Sequence, residues 1–320
     1  MFIYKKKKYK NIAWDLIANP ILESSFPTYI YIEPTNDCSL NCSICPNKIF
    51  NAKTGYLNFD LFKKIIKETA KFDCVKTITL HKEGEPLLHL QLPKMIKYIK
   101  TKSPSVMVSF STNGLSLNKE IIEKLLMGGL DKIYVSLGNI LTDSKKDKSK
   151  TKLIDTVSRN LNYFLIRRGT LKKQRPQIIL RTITKKGKYK ITEAAKTKWH
   201  AIADKIETRP YHTWCGYFKR CYPIPKNRTP CLSLWTTLAV NWNGDVSICS
   251  LDYKKEGVVG NVKKSTLQEI WKGDRLKYYR KLHLEGDYHC LKPCQYCTEW
   301  RHNTAFWIKK NISKAKHINQ

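Results

Sequence analysis

The 320-residue sequence contains no uninterrupted apolar run near the roughly 18 residues that a membrane-spanning helix needs. Its first ten residues, MFIYKKKKYK, place the lysines after a three-residue apolar tip, not ahead of an apolar stretch, so they lack the form of a secretory signal. Together these absences exclude a helical membrane protein and predict a soluble, cytoplasmic chain. Acidic residues are scarce as well: 26 Asp and Glu stand against 59 Lys and Arg, a net charge of +33. Such a field would attract polyanions, anionic lipid surfaces or an anionic, phosphorylated ligand. Many of the lysines are nevertheless scattered, as in FKKIIKETAK and TKKGKYKIT, which is how an ordinary solvated surface distributes them. Internal repeats are absent, which excludes a solenoid, and so are low-complexity linkers.

What the sequence does have is cysteine, eleven in all. Without an export signal, reduced cytosolic thiols in clusters point to metal binding or redox work and away from a disulfide framework. Cys38, Cys42 and Cys45 lie within CSLNCSICP at the spacing CxxxCxxC, with no fourth thiol nearby. Three thiolates can hold three irons of a cubane [4Fe-4S] cluster and leave the fourth iron open to a ligand that is not protein. A zinc site closed by a distant Cys or His, or a loop of structural thiols, is the alternative.

Between residues 29 and 210 strand-like and helix-like patterns alternate. YIYIEPTN, VKTITLHKEGEP, SVMVSFSTNG, DKIYVSLGN, QIILRTIT and DKIETRPY read as strands. The helices between them include one with Leu61, Ile65, Ile66 and Thr69 at helical spacing and one opened by Pro93. A third is capped by Asn118 and stopped at Gly128 and Gly129; others fall at 153 to 166 and 191 to 199. Alternation at this length predicts an α/β fold with parallel strands and right-handed crossovers, a partial (β/α)6 TIM-like barrel. Cys38, EGEP at 83 to 86, STNG at 111 to 114 and SLG at 136 to 138 each follow a strand, the end at which such barrels build their sites.

CxxxCxxC after the first strand of a βα barrel resembles the radical S-adenosylmethionine (radical SAM) superfamily, in which the open iron chelates the amino and carboxylate groups of SAM. EGEP resembles that family's GGEP motif, which assigns Gly84, Glu85 and Pro86 to the SAM amino group. STNG resembles its third-strand segment near the SAM carboxylate and ribose, implicating Ser111, Thr112 and Asn113, and VSLG its fourth-strand ribose contact, implicating Ser136. Two positions depart from the family pattern. Ile44 stands before the last cysteine where an aromatic is usual, and Glu83 replaces the first glycine of GGEP, adding a carboxylate.

From about Cys215 the alternation stops. LAVNWNGDVSI reads as a hairpin turning at Asn243 and Gly244, and one helix is expected near 265 to 283 behind a capping pattern at Ser265 and Gln268. Cys231 and Cys249 with seventeen residues between them, Gly244 five before the second, and Cys294 and Cys297 as CxxC resemble a SPASM-type auxiliary cluster domain. The match is to its single-cluster "twitch" version, of the 2-deoxy-scyllo-inosamine dehydrogenase type. That resemblance implies an auxiliary [4Fe-4S] cluster closed by four thiolates; four-cysteine zinc is the alternative. Cys74, Cys215, Cys221 and Cys290 are expected to be structural. The implied division is a basic extension over 1–27, the partial barrel over 28–210, the small auxiliary domain over 211–300 and a basic tail over 301–320.

The resemblance implies reductive cleavage of SAM to a 5'-deoxyadenosyl radical, abstraction of hydrogen from a substrate, and oxidation assisted by the auxiliary cluster, with a one-electron donor such as flavodoxin or ferredoxin. A proton-accepting residue is not identified; His81, Lys82, Glu83, Arg181 and Asp252 are the rim candidates. About 28 residues before the first strand are too few for a leader-binding domain, which favours a small polar, sugar-like substrate; a peptide-modifying maturase (epimerisation or crosslinking) is the alternative, and RNA stays open as a substrate. A zinc-containing nucleic-acid-binding protein is the reading from outside enzymology, and the charge alone suits it.

Overall fold

Asn58 precedes the first helix, α1 (Phe59–Thr69), and its side-chain oxygen accepts hydrogen bonds from the backbone N–H groups of Asp60 and Leu61, which would otherwise have no helical partner. One face of α1 buries Phe62, Ile65, Ile66 and Thr69; Phe62, not Leu61, fills the fully enclosed position, and Leu61 lies at its margin. Pro93 opens α2 (Leu92–Lys102), and α3 (Lys119–Gly128) runs from the Asn118 cap to Gly129 at φ +82°, a left-handed stop that suits glycine. The computed structural model describes residues 24–47, 49, 53–138, 148–184, 197, 199–210, 212–218 and 228–300.

The six expected strands are present as β1 (Tyr29–Ile32), β2 (Thr77–Thr79), β3 (Met107–Thr112), β4 (Lys132–Gly138), β5 (Gln177–Thr184) and β6 (Lys205–Pro210). They lie in sequence order and pair in parallel throughout, the signature of successive right-handed βα steps. A helix α4 (Lys148–Thr170), longer than expected, covers the step between β4 and β5. Ile30, Ile78, Val108, Phe110, Ile133, Val135, Ile178 and Leu180 are fully buried between sheet and helices. Each such side chain contributes about 1.5–3 kcal/mol relative to exposure, so this inner face fixes the register of the sheet. Of the helix expected at 191 to 199, residues 191 to 196 and 198 lie outside the described residues, as do the first 23 residues and the tail from 301.

The expected hairpin is formed by β7 (Thr237–Val240) and β8 (Asp245–Ser247), with Gly244 at φ +94° in the turn. It does not make a sheet of its own. Strand β7 pairs in parallel with β1 along Tyr29 to Ile32, and β9 (Val258–Asn261) pairs with β8, giving one nine-stranded sheet in the order β6-β5-β4-β3-β2-β1-β7-β8-β9. The single helix expected at 265 to 283 is two, α5 (Leu267–Lys272) and α6 (Asp274–Glu285), broken where Gly273 adopts extended backbone. Its capping box uses Thr266 and Glu269, one residue beyond the expected pair, because Leu267 and not Thr266 is the first residue turned into the core. Among the described residues no helix is long and apolar enough to cross a membrane.

Candidate active site and auxiliary cysteine nest

The loop that leaves β1 carries Cys38, Cys42 and Cys45, and the Cys45 N–H donates to the Cys42 carbonyl at 3.0 Å to close its turn. Burial, with Cys42, Cys38 and Glu83 nearby, pushes the Cys45 thiol up to about 11, and burial beside Cys38 raises that of Cys42. The raised Cys42 and Cys45 thiols resist ionising together, so holding both as thiolates calls for positive charge nearby. Among the described residues, no three His, Cys, Asp or Glu side chains converge tightly enough for a single metal ion.

The loop after β2 is pressed onto the cysteine loop. A Cβ on Gly84 would lie 2.2 Å from the Thr35 carbonyl oxygen, so only glycine allows this approach. The Glu85 N–H donates to the Asp37 carbonyl at 2.7 Å, and the Asn47 side chain donates to the carbonyls of Asn36 (2.7 Å) and Glu83 (3.0 Å). The buried Glu85 carboxylate then reaches across to the loop after β3. Its Oε1 accepts from the Thr112 hydroxyl at 2.7 Å and from the Leu87 N–H, and its Oε2 accepts from the Asn113 N–H at 2.7 Å. Burial raises the Glu85 carboxyl, and these three donors oppose it.

Asn113 keeps one side-chain group unused: its Oδ1 accepts from the Leu115 N–H, while its buried Nδ2 has no partner among the described residues. A buried amide donor without an acceptor is costly, and a carboxylate or ribose hydroxyl of a bound nucleoside would satisfy it. The close backbone at Gly84, the unpartnered donor of Asn113 and the three thiols together would fit SAM on an open cluster. Pro86 is buried and begins a short 3-10 turn, the Ser111 N–H donates to His81, and Ser136 lies at the end of β4, where a register shift follows opposite Arg181.

The candidate bases are engaged. Desolvation of the half-buried His81 ring, helped by the Arg181 charge, takes its imidazole down to about 3, and its Nδ1 accepts from the Ser111 N–H. Lys82 is enclosed between Glu83 (2.7 Å), the Asn241 Oδ1 (2.8 Å) and the Asp252 carbonyl (3.2 Å). Arg181 lies 3.4 Å over the Tyr134 ring and bridges to Glu207, and the Asp252 carboxylate accepts from the Glu256 and Gly257 N–H groups.

The second cysteine set meets in one buried pocket lined by Cys231, Cys249, Cys294 and Cys297 together with Arg228 and His283. The Cys249 sulfur accepts from the Leu251 N–H (3.4 Å) and the Cys297 sulfur from the Glu299 N–H (3.3 Å), the amide-to-sulfur bonds that stabilise thiolates. Arg228 adds positive charge beside Cys294 and Cys297. This donor set suits a metal cluster.

Cys215, expected to be structural, belongs to the same pocket, its thiol within hydrogen-bonding reach of Cys249 and Cys297. Its neighbour Trp214 donates from Nε1 to the Ile44 carbonyl at 3.0 Å. Sequence reasoning missed both; the adjoining glycine in TWCG was the one hint of a tight approach, since a Cβ on Gly216 would sit 2.4 Å from that of Tyr296. Cys74 packs against the core and Cys290 is exposed, both apart from the pocket, while Cys221 lies outside the described residues.

Comparison with known proteins matches residues 32–164 to the family model of the radical SAM superfamily and residues 231–298 to that of SPASM, an iron-sulfur cluster-binding domain. The chain is 31% identical over 134 residues to a tungsten-containing aldehyde ferredoxin oxidoreductase cofactor-modifying protein of Pyrococcus furiosus, an alignment covering 38% of this chain and 37% of that relative. It is 23% identical over 278 residues, 84% of this chain and 91% of the relative, to an S-adenosyl-L-methionine-dependent 2-deoxy-scyllo-inosamine dehydrogenase of Niallia circulans. The crystal structure of BtrN in complex with AdoMet and 2-DOIA superposes with a TM-score of 0.59 at 20% identity, covering 85% of this chain and 93% of that one, a likeness of fold. With one model on the parallel strands that carry the cysteine triplet and the other on the nest beyond them, the chain carries a radical SAM superfamily domain over residues 32–164 and a C-terminal SPASM domain over residues 231–298.

Proposed function

We propose that the chain is an enzyme that cleaves S-adenosyl-L-methionine reductively and removes hydrogen from a small polar, sugar-like substrate, its oxidation assisted by an auxiliary [4Fe-4S] cluster. Cys38, Cys42 and Cys45 hold the first cluster, and Cys231, Cys249, Cys294 and Cys297 the auxiliary one. When bound and reduced, the first cluster supplies one electron to SAM, giving methionine and a 5'-deoxyadenosyl radical. Gly84 lets the backbone approach SAM, Asn113 Nδ2 donates to it, and Glu85 acts as a positioning residue that locks the two loops together. Pro86, Ser111, Thr112 and Ser136 complete the pocket wall.

This reading rests on one observation above the others: the cysteine, EGEP and STNG loops are joined to each other by hydrogen bonds at one end of the parallel sheet. The near full-length alignment with the 2-deoxy-scyllo-inosamine dehydrogenase supports a small substrate. A flavodoxin- or ferredoxin-like donor would supply the electron, and a cytoplasmic location suits oxygen-sensitive clusters.

The test is iron, sulfide and zinc content of anaerobically reconstituted protein beside a C38A/C42A/C45A variant, with 5'-deoxyadenosine release under dithionite. About eight irons per chain, falling to about four in the variant together with loss of cleavage, is the expected result. Zinc without iron would overturn the reading. Addition of 2-deoxy-scyllo-inosamine and of short peptides then separates small-molecule from peptide substrates by which one stimulates 5'-deoxyadenosine release.

A further inference from the structure

Four thiolates close a [4Fe-4S] cluster, yet the auxiliary pocket is lined by five cysteines. Cys215 reaches it from outside the segment matched by the SPASM model, on a tight loop with Trp214 at φ +50°, Cys215 at φ +60° and Gly216 at φ +89°. Left-handed backbone at two consecutive non-glycine residues persists only where the surroundings dictate it. Here they do so from both sides. The Thr213 N–H donates to Glu299 Oε1 at 3.0 Å, His212 meets Glu299 Oε2 at 3.0 Å, and Trp214 is fixed on the Ile44 carbonyl. Glu299 is the residue whose N–H donates to the Cys297 sulfur, so the loop carrying Cys215 and the loop carrying Cys297 are fastened through one side chain. On the other flank, Cys215 and Cys249 share one residue: the Cys215 thiol donates to the Leu251 carbonyl at 3.4 Å, while the Leu251 N–H donates to the Cys249 sulfur at 3.4 Å.

We infer that Cys215 is a fifth ligand-competent thiol of the auxiliary site, able to take the coordination position of Cys249 or of Cys297. The inference rests on the proposed two-cluster reading. The exchange balances without a redox partner: the Cys215 sulfur forms one metal–sulfur bond as the departing cysteine breaks one, and the proton of Cys215 passes to the departing thiolate. Charge and electron count are unchanged, and the three sulfurs line the same pocket, so the proton has no distance to cross through solvent.

The experiment reads iron, sulfide and the electron paramagnetic resonance signal of reconstituted C215A, C249S, C297S, C215A/C249S and C215A/C297S, each checked for a wild-type circular dichroism spectrum. The expected result is about eight irons per chain in C215A and in at least one of C249S and C297S, with an altered auxiliary signal in the latter, and about four in the matching double variant. Both folded single variants C249S and C297S falling to the four irons of their doubles would overturn the inference while leaving the two-cluster reading intact. Wild-type protein without about eight irons would instead overturn the reading on which it rests.

Discussion

The indole Nε1 of Trp214 donates to the backbone carbonyl of Ile44 at 3.0 Å, one residue before Cys45. A side chain from the second cysteine region thus holds the turn of the first, while the next residue, Cys215, enters the auxiliary pocket. Trp214→Phe keeps the ring and deletes the donor, with an expected loss of about 0.5–1.5 kcal/mol of stability. Iron release from the first site to a chelator should be faster than in wild type, and equal rates would mean that the bond does not hold the loop.

Gly84→Ala drives a methyl into the Thr35 carbonyl and the Asn36 backbone, neither of which is a flexible side chain that can yield. Overpacking of this kind costs about 1–3 kcal/mol and separates the two loops. Urea denaturation should record the loss, and SAM affinity by equilibrium dialysis should fall at least tenfold. Unchanged SAM binding would remove Gly84 from the pocket.

Thr112→Val is nearly isosteric but removes the hydroxyl that donates to Glu85 Oε1 and accepts from the Gly114 N–H at 3.0 Å. Leaving a buried carboxylate oxygen short of a donor costs about 1–3 kcal/mol. Thr112→Ser should recover most of that stability, which a loss due to packing alone would not allow.

Two buried carboxyls, Glu83 and Glu33, share the neighbourhood of one ammonium, Lys82, with Asp252 and Cys45 also near. Burial, reinforced by Glu33 and opposed by Lys82, raises the Glu83 carboxyl to about 8. A raised acid binds a proton in the folded state that the unfolded chain has released. The stability it contributes is therefore full below about 4.5 and lost as pH rises through about 8. The slope is up to about 1.4 kcal/mol per pH unit for one proton. Urea denaturation from pH 5 to 8 should show wild type losing stability more steeply than Glu83→Gln; parallel curves would mean that Glu83 is ionised throughout.

The six parallel strands and the three loops at their ends were legible because their signals are local. Alternation, the Asn118 cap and Gly129 each act within a few residues, and a cysteine triplet after a strand has few readings. The pairing of β7 with β1 was not legible, since it joins Ile30 to Leu238 across two hundred residues and depends on which edge the barrel leaves free. A capping pattern marks where a helix starts and not where it breaks, so the interruption at Gly273 is not legible; it goes with tertiary packing, Trp271 being buried with its indole donating to the Ser24 carbonyl. Cys215 has no spacing pattern to mark it, and its membership in the nest follows from the Glu299 contacts, which are tertiary.

The parallel pairing of β7 with β1 has a consequence for shortened forms of the chain. A fragment ending before residue 231 would leave β1 an edge strand, with the row of N–H and C=O groups that now meets Thr237 to Val240 facing water beside the fully buried Ile30 and Ile32. Bare edges of that kind recruit strands from other molecules. The barrel portion made alone should therefore precipitate, and the SPASM portion guards its neighbour against self-association as well as carrying cysteines.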